Sequence, residues 1–153
     1  MKVLHSVHPD DFKRYDTALT RDRFLIENIV QPDEINCVYT HYDRMITGAA
    51  NPVEKTLSLP NYSNLRAQYF LERREMGIIS VAGDGVLVVD GQEFNLSKLD
   101  CLYIGKGAKE VKFSSKNSSD GAVFYILSVP AHAMCPTTFM SLNDAAKVEE
   151  GSA

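Results

Sequence analysis

Residues 70–110 read FLERREMGIISVAGDGVLVVDGQEFNLSKLDCLYIGKGAKE. Two turn signals divide this stretch. Gly83-Asp84-Gly85 and Asp90-Gly91 are hairpin-type turns, because glycine beside Asp accepts the positive φ angles that tight turns require. VLVVDGQEF therefore reads as two short strands around the second turn. The runs GIISVAG, QEFNL and DCLYIG are short, rich in β-branched and aromatic residues, and bounded by Gly, Asp and Ser. Outward from this block the same texture continues. INCVYTHY, KTLSL and RAQYFLE precede it, and EVKFSS and AVFYILSV follow. About nine short strands with turns at this spacing, and no long amphipathic helix between them, predict an all-β sandwich, barrel or jelly roll. The glycine and strand spacings fit a double-stranded β-helix.

The flanks differ. Residues 8–30 (HPDDFKRYDTALTRDRFLIENIV) predict a short helical or mixed arm, with Pro9, Asp10 and Asp11 as a helix start. SSKNSSDG (114–121) is a polar loop. Ser141–Asp144 begins a short helix, and KVEEGSA is linker-like. The expected organisation is an N-terminal arm (1–34), a β-barrel (35–136) and a C-terminal tail or linker (137–153).

A chain of 153 residues can bury a full core as one domain. Its net charge of −4 and scattered Lys and Arg, apart from Arg73–Arg74, point away from nucleic acid. No apolar run approaches the ~18–20 residues of a membrane span, and the N-terminus turns polar too soon for a secretory signal. Cys37, Cys101 and Cys135 form no CxxC pair, which suits a reducing cytoplasm.

The block also resembles the cupins, in which H-x-H-x(3–4)-E-x6-G and a later G-D-x4-P-x-G-x2-H supply three imidazoles and a carboxylate to a divalent metal. The spacing is physical: residues two apart on a strand share a face, so H-x-H aims both rings into the barrel. With Gly83 as the first motif's glycine, the carboxylate position holds Met76 and the H-x-H positions hold Phe70 and Glu72. In the second motif Asp100 and Gly107 match, Gly105 replaces the proline, and Glu110 replaces the histidine. No imidazole is retained, and a one-residue shift recovers only Glu75. No metal site is expected on this chain.

Glu72 and Glu110 read in two ways. They form a carboxylate pair inside the barrel, suited to a hard cation or to proton transfer. Alternatively they pair with Arg73, Arg74, Lys106 or Lys109, or face solvent. His5 and His8 stand at the spacing of one helical face, while His41 and His132 are candidate general bases on chemistry alone.

FLERREMG (70–77), YIGKGAKEV (103–111) and PAH–xx–PT (130–137) together resemble the 5-keto-4-deoxyuronate isomerases, as do RFLIENIVQPDE (23–34) and VYTHYDRMITG (38–48). The resemblance runs from about residue 5 to the end. It implies the N-terminal cupin half of a two-cupin ketol-isomerase in pectin and uronate breakdown, with zinc held by three His and one Glu in the C-terminal half. It further implies a sugar-acid substrate, a hexameric full-length assembly, a C-terminal cupin half as partner and a cytoplasmic setting. No family zinc ligand maps onto a position here. Glu72, Glu110 and His132 remain the candidates for catalysis, and Arg73, Arg74, Lys106 and Lys109 for holding a substrate carboxylate. A metal-free sugar-acid-binding cupin, and an autonomous isomerase working without a transition metal, are the rival readings.

Overall fold

A computed structural model describes residues 1–146, 148, 150 and 151. It contains two facing sheets. The larger has seven strands: β1 (Lys2–Leu4), β2 (Ile35–Thr40), β3 (Ile46–Ala50), β5 (Arg74–Ala82), β8 (Cys101–Ile104), β10 (Val123–Pro130) and β11 (Thr138–Met140). Their spatial order is β1-β2-β3-β10-β5-β8-β11. The smaller contains β4 (Leu57–Ser58), β6 (Gly85–Val89), β7 (Gln92–Leu96) and β9 (Val111–Ser115), in the order β4-β9-β6-β7. Every pairing is antiparallel except β1 with β2. This is the expected jelly-roll sandwich. Two short helices, α1 (Pro9–Phe12) and α2 (Thr17–Phe24), lie between β1 and β2, capped by His8 and Asp16.

The core follows from alternation. On β5 the inward side chains are Arg74, Met76, Ile78 and Ser80, while Gly77, Ile79 and Val81 face out. Leu102 and Ile104 of β8 and Phe124 and Ile126 of β10 point the same way. The small sheet answers with Leu87, Val89, Leu96, Val111 and Phe113. Phe113 and Phe124 meet across the interior with ring centroids 5.6 Å apart. Burying such side chains contributes roughly 1.5–3 kcal/mol each.

The Asp90-Gly91 hairpin forms as expected, joining β6 to β7, with φ of 47° and 87°. Four details correct the sequence reading. RAQYFLE is not a strand: residues 67–72 form turns and bends, and Phe70 and Leu71 are buried in succession rather than alternately. β3, with the sequence ITGAA, carries too little branched bulk to signal a strand. It needs small residues, because a Cβ on Gly48 would overlap the carbonyl oxygen of Asn36 on β2. β1 and β11 are short edge strands within the predicted arm and tail. His5 and His8 do not share a helix, since His5 follows β1 and His8 caps α1.

The tail is fastened by Asp100, which accepts from the backbone N–H of Leu142 at 2.9 Å. Ser141–Asp144 forms a capping box on a single 3-10 turn. The linker-like stretch at 147–153 lies in part outside the described residues.

Candidate functional site

The three distinctive motifs are far apart in sequence and adjacent in space. The Gly107 N–H donates to the Leu71 carbonyl at 2.8 Å, joining YIGKGAKEV to FLERREMG. The Ala131 N–H donates to the Arg73 carbonyl at 3.1 Å, bringing PAH alongside. β5 begins at this junction.

Arg74 is the first inward residue of β5, and it is only 7% exposed. Its Nε donates to Ser128 Oγ at 3.1 Å, and its Nη2 donates to the carbonyls of Ser128 and Arg44, both at 2.8 Å. Its guanidinium also lies 5.9 Å from the centroid of the Tyr39 ring. Burial pushes the Arg74 pKa down, the Arg44 charge adds to this, and Tyr39 opposes it. Arg73 is exposed and donates from Nη2 to the carbonyls of Leu65 (3.2 Å) and Arg66 (2.5 Å). Both arginines, with Arg44, Tyr39 and Asn64, line a cavity of about 220 Å³. Among the described residues none of the three arginines pairs with a carboxylate.

The other nominated residues stand elsewhere. Glu72 accepts from the Gln68 N–H at 2.8 Å and closes a local turn. Glu110 is exposed and pairs with Lys112 at 2.9 Å. Its backbone N–H, like that of Lys109, donates to the Asp90 carboxylate. His132 and Lys109 are exposed and Lys106 is half-buried. None of these five lines the arginine cavity. Glu75 faces outward and accepts from the Tyr103 hydroxyl at 2.8 Å, which raises the Tyr103 pKa. Tyr39 and Arg44 fall within VYTHYDRMITG without being singled out by it, Asn64 lies in no motif, and only folding brings the three to Arg74.

The chemistry of the donor set does not fit a metal. Two of the template positions, Phe70 and Met76, are apolar side chains within the core, 4% and 1% exposed. Among the described residues no group of three or more His, Cys, Asp or Glu side chains is placed to hold an ion.

A second cavity of about 570 Å³ shares Tyr39 and Asn64 with the first. It is lined further by His5, His41, Ser63 and Arg66. The His5 and His41 rings stack with centroids 4.8 Å apart, and Tyr39 meets His41 edge-on at 5.3 Å.

Among the described residues no helix is long and apolar enough to cross a membrane. No protein-family model matches the chain. The structure is similar to an IolB-like protein from Salmonella typhimurium LT2, with a TM-score of 0.55 and 14% identity over 71% of this chain and 40% of that one. In sequence it is 47% identical over 144 residues to a 4-deoxy-L-threo-5-hexosulose-uronate ketol-isomerase from Formosa agariphila, covering 94% of this chain and 51% of the relative. Ketol-isomerases of the same name from Halalkalibacterium halodurans and Lachnospira eligens are 43% and 46% identical. They cover 99% of this chain, which spans 55% and 56% of them. The chain thus spans about half the length of these curated relatives, and over that half it is a homologue of the 4-deoxy-L-threo-5-hexosulose-uronate ketol-isomerases.

Proposed function

We propose that this chain serves as the N-terminal cupin half of a ketol-isomerase that converts 4-deoxy-L-threo-5-hexosulose uronate to 3-deoxy-2,5-diketogluconate. The observation that carries this reading is the match of nearly the whole chain to only about half of each ketol-isomerase. The reaction needs a proton removed beside a carbonyl and an enediolate stabilised. The first requires a base at the reacting carbon, and the second a metal or fixed donors. Glu72, Glu110 and His132 do not share a cavity with Arg73 and Arg74, and no donor set for a metal is assembled among the described residues. The zinc chemistry implied by the resemblance is therefore assigned to the other half, and no step is routed through it here.

In this reading residues 1–34 form an arm, 35–136 a barrel and 137–153 a connection toward the second cupin. The outer face of the large sheet exposes Ile79, Val81 and Leu127. We assign this face to the second cupin half, since the relatives carry nearly as much chain again. Full-length chains assemble as a hexamer in the cytoplasm.

The test is ketol-isomerase turnover by the purified 153-residue chain, with zinc, with a chelator, and after adding the C-terminal half of a relative. Activity only in the last mixture is the expected result. Turnover by the chain alone that survives the chelator would overturn the proposal.

A further inference from the structure

We propose that the notch over Gly77, on the outer face of the large sheet, is the socket in which the second cupin half of the longer protein seats one bulky apolar side chain. The inference rests on the half-enzyme reading above and deepens it, by naming the anchor of that contact and its chemistry.

The strand register lays this face out in rows. One row runs Val38, Thr47, Leu127, Gly77, Tyr103 and Thr138 across β2, β3, β10, β5, β8 and β11. The next runs Asn36, Ala49, Tyr125, Ile79, Cys101 and Met140. Residues directly opposite each other on paired strands share a face, so both rows point away from the core. Their two ends differ. Val38, Thr47 and Ala49 are buried, and Ala18, Leu25 and Ile26 of the arm line a cavity with Val38. From β10 onward the cover stops. Ile79, Leu127 and Met140 are exposed, and Val81 extends the patch. The solvated face of an antiparallel sheet ordinarily carries polar side chains. Here, on β5, β8 and β10, Glu75 is the one charged side chain that points out.

The polar groups of this face already have partners within it. The Tyr103 hydroxyl donates to the Glu75 carboxylate at 2.8 Å, and the Thr47 hydroxyl donates to the Tyr125 hydroxyl at 2.8 Å. Water can be withdrawn from this surface without leaving either tyrosine hydroxyl alone, which is the condition for burying it.

Gly77 is the gap in the first row. A Cβ added there would meet no atom within 4 Å. Its cross-strand neighbours Leu127 and Tyr103, with Ile79, Cys101 and Tyr125, wall a notch of about 240 Å³. An apolar cavity of about 150 Å³ holds benzene, so the notch has room for a Leu, Met or Phe side chain. Interfaces draw most of their affinity from a few such anchors in desolvated pockets.

The occupant follows from chain length and path. The ketol-isomerase relatives carry nearly as much chain again. β11 pairs with β8 at the edge of the bare half, and Asp100 holds the Leu142 N–H beside it. In a protein of that length, chain running on past β11 sets out next to the socket. A short connection then suffices to lay a second sheet on this one, about 10 Å away.

The experiment is alkylation of Cys101 by iodoacetamide, read by peptide mass spectrometry, because Cys101 lines the notch. Rates are compared between the 153-residue chain and a full-length chain. The latter joins residues 1–153 to the part of the Halalkalibacterium halodurans relative that this chain does not match. Cys101 should react about tenfold more slowly in the joined chain, since thiol reactivity follows exposure. Gly77→Leu fills the notch. In the 153-residue chain it should leave the urea midpoint unchanged or raised, because a strand glycine packs nothing. In the joined chain it should cut the protection of Cys101 to about threefold or less, relative to the same variant of the short chain. The proposal is overturned if Cys101 reacts equally fast in both parent chains, or if Gly77→Leu keeps the full protection. It is also overturned if the 153-residue chain alone gains the same protection as its concentration rises, because the occupant is then a second copy. Turnover is read separately. A joined chain that turns over with Cys101 unprotected removes the socket and keeps the half-enzyme reading, and protection without turnover does the reverse.

Discussion

Met76 and Arg74 stand two residues apart on one face of β5, and both are almost fully buried. Met76 is the residue that motif counting sets at the carboxylate position, and it belongs to an apolar cluster with Phe70, Ile104 and Val111. Arg74 lies two residues earlier on the same face, at the start of the strand, and lines a cavity. One pleat repeat therefore separates a filled interior from a polar mouth.

The interior half of this comparison is broken most severely by Met76→Ala. The residue is 1% exposed and belongs to the core cluster to which both sheets contribute. The cavity left behind should cost about 2–5 kcal/mol. Urea titration should show it as a lower midpoint at unchanged slope.

Arg74→Met tests the mouth, and its cost should be smaller. The Ser128 and Arg44 carbonyls lose their donor, at about 1–3 kcal/mol. Removing a buried cation that has no carboxylate partner works in the opposite direction. A loss as large as that of Met76→Ala would mean that Arg74 is structural first, and the contrast between the two layers would fail.

Much of this contrast was legible before folding. The Asp90-Gly91 turn announced a hairpin that forms, whereas Gly83-Asp84-Gly85 is not a hairpin but a turn that carries the chain from β5 in the large sheet to β6 in the small one; Gly83 and Gly91 both take positive φ. Counting along the motif placed Phe70 and Met76 at template ligand positions; that both are packed into the core is what folding adds. Arg73 and Arg74 were nominated from their chemistry, and both line one cavity. The cavity itself was not legible. Tyr39 and Arg44 come from the β2–β3 hairpin, Asn64 from a 3-10 turn and Arg74 from β5. No local pattern encodes that meeting. β3 was missed because ITGAA is selected by the closeness of β2, a tertiary demand on Gly48. RAQYFLE misled in the opposite sense. Its aromatic and branched residues pack as consecutive turn residues, with Tyr62 against Phe70 at 6.1 Å.

Asp33 is the counter-case to Arg74: a charge whose partners are complete. Its carboxylate accepts from the backbone N–H groups of Glu54 (2.9 Å), Lys55 (3.0 Å) and Val53 (2.9 Å). The Glu54 bond leads in lowering its pKa below the usual 3.8. A depressed carboxylate stabilises the fold above its unfolded pKa, and that stability is lost as pH falls through the folded value. Asp33 has φ of +58°, which Asn tolerates, so Asp33→Asn removes charge without adding strain. The variant should melt below the parent at pH 6–7, with the gap closing as pH drops below about 4. A gap constant from pH 7 to pH 3 would show that the carboxylate's charge is irrelevant there.

The smallest expected effect on stability is the sharpest test of the mouth. Arg44 touches the fold through its backbone, because its carbonyl receives Arg74 Nη2. Its side chain makes no hydrogen bond or ion pair among the described residues. Replacing it by Asn keeps the carbonyl and suits a φ of +53° better than Arg does. Stability should therefore hold within about 0.5 kcal/mol or rise slightly, measured by urea titration beside Met76→Ala and Arg74→Met. An arginine that helps the fold no more than asparagine would, in a conformation it disfavours, is explained by what it faces. A stability loss comparable to Arg74→Met would instead make the turn the reason for Arg44, and the mouth would become an extension of the core.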